Sequence, residues 1–131
     1  MKYSKFDLEE RLINFSVLII KITKEISQDY PGKHLANQIV RSGTSVSLNY
    51  GEAMAAESRK DFIHKIKIIL KELRETFVNL KIIHLSNIYS KEENIIKAKS
   101  ECDELISIFV SSQRTAEKNL YFSNAKSTIQ K

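Results

Sequence analysis

SRKDFIHKIKIILKELRETFVNLKII, residues 58–83, carries apolar side chains at Phe62, Ile66, Ile69, Leu73, Phe77, Leu80 and Ile83, always three or four residues apart. That spacing follows the 3.6-residue turn of an α-helix and lines all seven on one face. Ser58 stands ahead of the run, where its hydroxyl can accept a hydrogen bond from an orphan N–H of the first turn. Ser86-Asn87 closes it. The stretch reads as a helix near 59–86.

The flanking sequence repeats the pattern. Upstream, Leu8, Leu12, Phe15, Ile19, Ile22 and Ile26 form a seam that predicts a helix near 7–29, ended by Asp29-Tyr30-Pro31-Gly32. Ile13, Val17 and Ile20 make a second apolar line on the same helix, more than one intramolecular seam needs. Left exposed in a lone bundle, they read as an oligomer contact. A second segment near 33–56 has an apolar line at Leu35, Ile39, Val46 and Ala53, with a polar line at Gln38, Ser42, Ser45, Asn49 and Glu52 beside it. Gly43 and Gly51 each cost a helix ~1 kcal/mol relative to Ala. A loop here is the competing reading, and a continuous helix is preferred. Ser90-Lys91-Glu92-Glu93 resembles a capping box, and Ile95, Ala98, Cys102, Leu105 and Phe109 continue a helix near 91–118. From Tyr121 onward the residues are polar and aperiodic. The chain therefore divides into a domain over 1–120 and a loose C-terminal tail over 121–131. Four long helices with short turns predict an all-α, antiparallel up-down-up-down four-helix bundle.

Composition agrees with this reading. Only 3 Gly and 1 Pro occur in 131 residues, too few for the frequent turns of a β-sandwich or barrel. A hydrophobic fraction of 42% suits a chain that buries a core. The single Cys excludes an intramolecular disulfide and a Cys-based zinc site. The first residues, MKYSKFDLEE, place acids where a signal peptide needs a basic and then an apolar region. The longest apolar stretch, Leu12 to Ile22, is broken by Asn14, Ser16 and Lys21, well short of the ~20 apolar residues of a membrane span. A soluble, cytoplasmic protein with no membrane partner is expected. Catalytic signatures are lacking: no G-x-S-x-G, no phosphate-cradling Gly-rich loop and no H-E-x-x-H. His34, His64 and His84 fall at no metal-ligand spacing, and Glu72 and Glu75 lack the His that a di-iron bundle site requires. Cys102 sits on an apolar seam and reads as core. The expectation is a protein without enzymatic activity, metal or cofactor.

Two features depart from a plain bundle. The first is the polar line Gln38, Arg41, Ser45, Asn49 and Glu52, which needs partners if packed. Glu72 and Glu75 on the third helix supply them, so Arg41 is expected to be mostly buried and paired with one of these carboxylates, with Asn49 hydrogen-bonded nearby. The line either locks the register of two helices or marks a ligand pocket or subunit contact. The second feature is charge. The chain carries a net +5, and residues 57–89 hold seven bases against four acids. Lys60, Lys67, Lys71 and Arg74 fall close to one face, which fits phosphate binding to RNA or DNA without base specificity. Lys71 neighbours Glu72 and is the member that the helix interface could claim instead. No aromatic base platform is evident, so stacking is not expected.

Gln38, Arg41-Ser42, Ser45, Asn49, Glu52-Ala53, Ser58, Asp61-Phe62, Lys65, Glu72 and Glu75-Thr76, within Leu35 to Leu80, resemble the four-helix-bundle proteins encoded in 23S rRNA intervening sequences. Relatives often carry an aromatic pair before the Leu, where this chain has Phe77-Val78-Asn79-Leu80. The resemblance implies an antiparallel bundle that assembles into a homopentameric ring, with no established enzymatic activity. A related group, the accessory proteins of diversity-generating retroelements, implies nucleic acid and a reverse transcriptase as partners. Two functions follow as expectations. One is an oligomeric, nucleic-acid-associated protein; the other is a protein-interaction scaffold or accessory subunit without direct nucleic-acid contact.

Overall fold

The computed structural model describes the backbone of residues 5–130 and the side chains of residues 7–125. Within them lie four helices and no strand: α1 (Lys5–Thr23), α2 (Tyr30–Met54), α3 (Arg59–Leu85) and α4 (Glu92–Gln130). α2 is unbroken through Gly43 and Gly51, so the competing loop does not form. Each helix packs on its neighbours in chain order, and α1 also meets α4 along a shorter stretch. The backbones of the diagonal pairs stay apart.

The predicted seams form the core. Leu12, Ile19 and Ile22 from α1, Ile39 and Val46 from α2, Ile66, Ile69, Leu73, Leu80 and Ile83 from α3, and Ala98, Cys102 and Leu105 from α4 are fully buried. Each large aliphatic group so buried contributes ~1.5–3 kcal/mol of transfer free energy. The Tyr50 and Phe109 rings meet edge to face at 5.8 Å between centroids, joining α2 to α4.

Helix ends depart from the sequence reading in three places. α1 stops at Thr23, not near residue 29, and Asp29-Tyr30-Pro31-Gly32 opens α2 instead of closing α1. Asp29 is the N-cap, its carboxylate accepting from the Gly32 N–H at 3.0 Å, and Pro31 occupies the first turn. Proline has no N–H to lose there and its fixed φ suits a helix start. Gly32 is required, because a Cβ would lie 2.0 Å from the Ser27 carbonyl oxygen. α4 begins at Glu92 directly after Lys91, so Ser90 is one residue too early to cap it. The same helix continues to Gln130, past the expected end near 118; residues 121–130 of the expected loose tail are helical. Lys131 lies outside the described residues. Other termini fall where expected. Ser58 caps α3 by accepting from the Asp61 N–H at 3.0 Å. Asn87 follows the α3 C-cap at φ 61°, a left-handed turn that Asn tolerates better than most residues.

The two mid-helix glycines have different reasons. At Gly43 a Cβ would sit 3.0 Å from both γ-carbons of Ile19, so this glycine lets α1 and α2 come close. The Ser16 hydroxyl uses that closeness, donating to the carbonyl oxygen of Gly43 at 3.0 Å, with Ser47 Oγ also 3.0 Å away. At Gly51 nothing lies within 4 Å of an added Cβ. Gly51→Ala should therefore raise stability by about 0.5–1 kcal/mol through helix propensity. Gly43→Ala should lower it, because a buried β-branched Ile19 cannot swing aside. Urea denaturation of the two variants beside the parent checks both signs.

Candidate functional site

The seam between α2 and α3 is polar at its centre and at its rim. At the centre, Thr76 Oγ1 and Ser42 Oγ lie 2.7 Å apart, both residues with no exposed surface. Thr76 also reaches the carbonyl oxygen of Glu72, one turn back, at 2.8 Å. At the rim, the Arg41 guanidinium donates to Glu72 Oε2 at 3.1 Å and to Glu75 Oε1. Both carboxylates therefore pair with Arg41, and the hydrogen bond that Arg41 donates to Glu75 is the leading reason that the arginine pKa is raised above its usual value.

Arg41 is not buried. Its side chain is 56% exposed, whereas that of Glu72 is 12% exposed. The arginine reaches over the seam from outside and covers the glutamate beneath it. Asn49 is not part of this cluster: its Nδ2 donates to the Ser45 carbonyl oxygen, and Ser45 Oγ donates to the Ser42 carbonyl oxygen. Both groups are satisfied within α2. Glu52 pairs across to Lys65 at 3.5 Å. Gln38 is half-buried on the same helix. The polar line thus splits into one cross-helix cluster, one rim pair and two locally bonded side chains. Asn79, one turn beyond Thr76, is buried with its Nδ2 lacking a protein partner.

Lys60, Lys67, Lys71 and Arg74 are all exposed on α3. Among the described residues none of the four has a carboxylate within ion-pair distance. Lys71 is not claimed by the helix interface, because Glu72 turns inward to Arg41. The same face of α3 then becomes apolar, with Val78, Ile82 and Leu85 exposed at helical spacing. On the opposite side of the bundle, Ile13, Val17 and Ile20 are also exposed, Val17 by 56%.

A groove of about 480 Å³ adjoins the basic stripe, lined by Lys60, Ile63, His64 and Lys67 from α3 and by Glu117, Leu120, Tyr121 and Asn124 from α4. A wider cleft of about 750 Å³ lies between the loops at the other end. Polar groups at this end are already engaged, His84 with Glu92 at 2.9 Å and Lys91 with Glu25. Arg11 joins Glu101 and Glu104 across α1 and α4. Cys102 donates its thiol to the Leu73 carbonyl oxygen at 3.2 Å, and burial pushes its pKa up to about 12. A thiol held neutral in this way packs as a small hydrophobe and is a poor nucleophile. No group of three or more His, Cys, Asp or Glu that could hold a metal ion occurs among the described residues. Among the described residues no helix is long and apolar enough to cross a membrane.

These features define a four-helix protein with a basic face on α3 that continues into one apolar stripe, and a second apolar stripe on α1. The chain matches the sequence profile of the 23S rRNA-intervening sequence proteins over residues 4–111 and belongs to that family. It is also similar to the crystal structure of a protein of unknown function from the S23 ribosomal protein family of Bacteroides thetaiotaomicron. That match has 30% identity and a TM-score of 0.73, covering 80% of this chain and 96% of the other. No curated protein matches.

Because Arg41 is half exposed, Arg41→Ala should cost only about 1 kcal/mol, well below the roughly 3–5 kcal/mol of breaking a buried pair. Raising the salt concentration should shrink the difference from the parent in thermal melts. Lys21→Ala is the control, expected to change stability by less than about 0.5 kcal/mol.

Proposed function

We propose that the protein is a non-enzymatic, ring-forming member of its family that binds RNA or DNA through the outer face of α3. The carrying observation is the line of four exposed, unpaired bases at Lys60, Lys67, Lys71 and Arg74. An exposed cation without a carboxylate neighbour keeps its charge for a phosphate, and helical spacing turns four of them into one stripe. Five copies at +5 each would carry about +25, attracting a polyanion through many weak contacts. Such binding is blind to base identity and falls steeply with salt. Lys60→Glu combined with Lys67→Glu should weaken retardation of RNA and duplex DNA at about 50 mM salt while leaving the melting temperature nearly unchanged. If the parent protein retards neither, the scaffold reading replaces this one.

The up-down-up-down order is supported by cross-helix pairs whose numbers run in opposite directions. Glu25 meets Lys91 while Arg11 meets Glu101, and Arg41 meets Glu75 while Glu52 meets Lys65. Ring assembly is supported by the two exposed apolar stripes. A cyclic oligomer of more than two copies needs two different, complementary patches on each subunit. Ile13, Val17 and Ile20 on α1 and Val78, Ile82 and Leu85 on the diagonal helix α3 meet that requirement. In this arrangement Val17→Glu and Ile82→Glu should each give monomers by light scattering. Mixed together, they should give a dimer and nothing larger, since one intact α1 stripe then meets one intact α3 stripe. A mixture that stays monomeric would show that these stripes do not face each other.

The same apolar stripe on α3 favours a second reading, an accessory subunit that docks on a protein partner such as a reverse transcriptase. Loss of nucleic-acid binding with salt separates the two, because an apolar contact does not weaken in that way.

A further inference from the structure

The groove between the first half of α3 and the end of α4 has a composition that plain phosphate binding does not use. Lys60, His64 and Lys67 line one wall, with a single opposing acid, Glu117. Tyr121 and Asn124 line the other, and Tyr121 is 70% exposed. Ile63 is buried, so the floor between the walls is apolar. The segment that carries Tyr121 lies beyond residue 111, where the family match ends. It is nevertheless held against α3. Arg59 Nη1 donates to the carbonyl oxygen of Asn119 at 3.0 Å, and Ala116 is buried one turn before Leu120. The aromatic ring is therefore positioned beside the lysines by a docked helix. On its own helix Tyr121 rests edge-on against Phe122, with ring centroids 5.8 Å apart, and Lys118 adds a further cation beside Phe122.

We propose that this groove binds single-stranded nucleic acid, with a base stacked on Tyr121 and the adjoining phosphates held by Lys60 and Lys67. The proposal rests on the phosphate-binding reading of α3 and adds to it a preference for unpaired strands. An exposed tyrosine next to a cationic wall can take the face of any base, but only one freed from its duplex. A duplex can use the lysines and leaves the ring idle. The sequence pattern hides this arrangement, because Tyr121 follows the last clear apolar seam and its stretch reads as loose tail.

The test compares binding of an oligouridylate and an oligothymidylate of about 12 nucleotides with a duplex of the same length, by fluorescence anisotropy at low salt. Tyr121→Ala should weaken single-strand binding roughly 5- to 150-fold and change duplex binding less than about twofold. Tyr121→Phe keeps the ring and should bind both as the parent does. Since the chain has five Tyr and no Trp, stacking should also quench tyrosine emission in the parent, with a smaller loss in Tyr121→Phe. An unchanged melting curve for Tyr121→Ala shows that the effect is not unfolding; were it to unfold, the quenching contrast with Tyr121→Phe decides. The strand type that responds identifies RNA, DNA or both as ligand. If Tyr121→Ala leaves single-strand binding intact, or weakens strand and duplex equally, stacking on Tyr121 is overturned while phosphate binding by α3 stands. If the parent binds neither strand nor duplex, both fall.

Discussion

The contact on which the arrangement turns is the hydroxyl pair Ser42–Thr76, 2.7 Å apart and sealed from water between α2 and α3. A shift of one helical turn breaks the only hydrogen bond that joins these two hydroxyls and leaves them the carbonyl oxygens of their own helices, Glu72 for Thr76 and Ile39 for Ser42, at a cost of about 1 kcal/mol. Arg41, Glu72 and Glu75 repeat the same constraint at the rim, where water weakens it. Together they fix how α3 is rotated. A helix turns about 100° per residue, so a change of one position would carry the basic stripe off the solvent face and into the flank of a neighbour. The orientation of the basic face, on which the proposed binding rests, is thus set by a pair of hydroxyls buried away from it.

Close approach does for α1 what polar pairing does for α3. Gly43 lets the Ile19 side chain come against the α2 backbone, and Ser16 bridges the gap to the Gly43 carbonyl and Ser47. Held tightly to α2 and lightly to α4, α1 cannot bury its second apolar line. Ile13, Val17 and Ile20 stay exposed as a consequence of packing geometry, although burying them would gain hydrophobic free energy. That exposed apolar line on one corner is the feature from which the proposed ring contact is argued.

Much of this was legible in the residues. The four seams could be read because a 3.6-residue period is local information, and Ser58 and Asn87 could be read as helix ends for the same reason. Asp29-Tyr30-Pro31-Gly32 was misleading because proline both ends helices and starts them, and which applies depends on Asp29 capping forward. The partners of Arg41 followed from charge, but its exposure did not, since burial depends on how far two helices stand apart. The cross-helix role of Ser16 was invisible: those partners lie 27 and 31 residues away, and its local bond to the Leu12 carbonyl oxygen is what any helical serine can make. The end of α4 was missed because Ala116 and Leu120 are too sparse to make a seam, and Arg59, which ties that turn to α3, comes from another helix.

The basic face of α3 is therefore best judged by what surrounds it. A helix face that serves only solubility interleaves both signs, since alternating charges lower repulsion and gain small i,i+4 energies. Other cations pair with carboxylates across elements, Arg11 with Glu101, Lys91 with Glu25 and Lys65 with Glu52. Acids were available next to the stripe, and two of them, Glu72 and Glu75, point away from it to Arg41. Like charges one turn apart on a helix repel by a few tenths of a kcal/mol per pair. Lys67, Lys71 and Arg74 carry that cost on one face, whereas Arg11, Arg41, Lys65 and Lys91 are paired with carboxylates. A bound polyanion would relieve that repulsion, so the same term that slightly weakens the helix alone would strengthen the proposed complex.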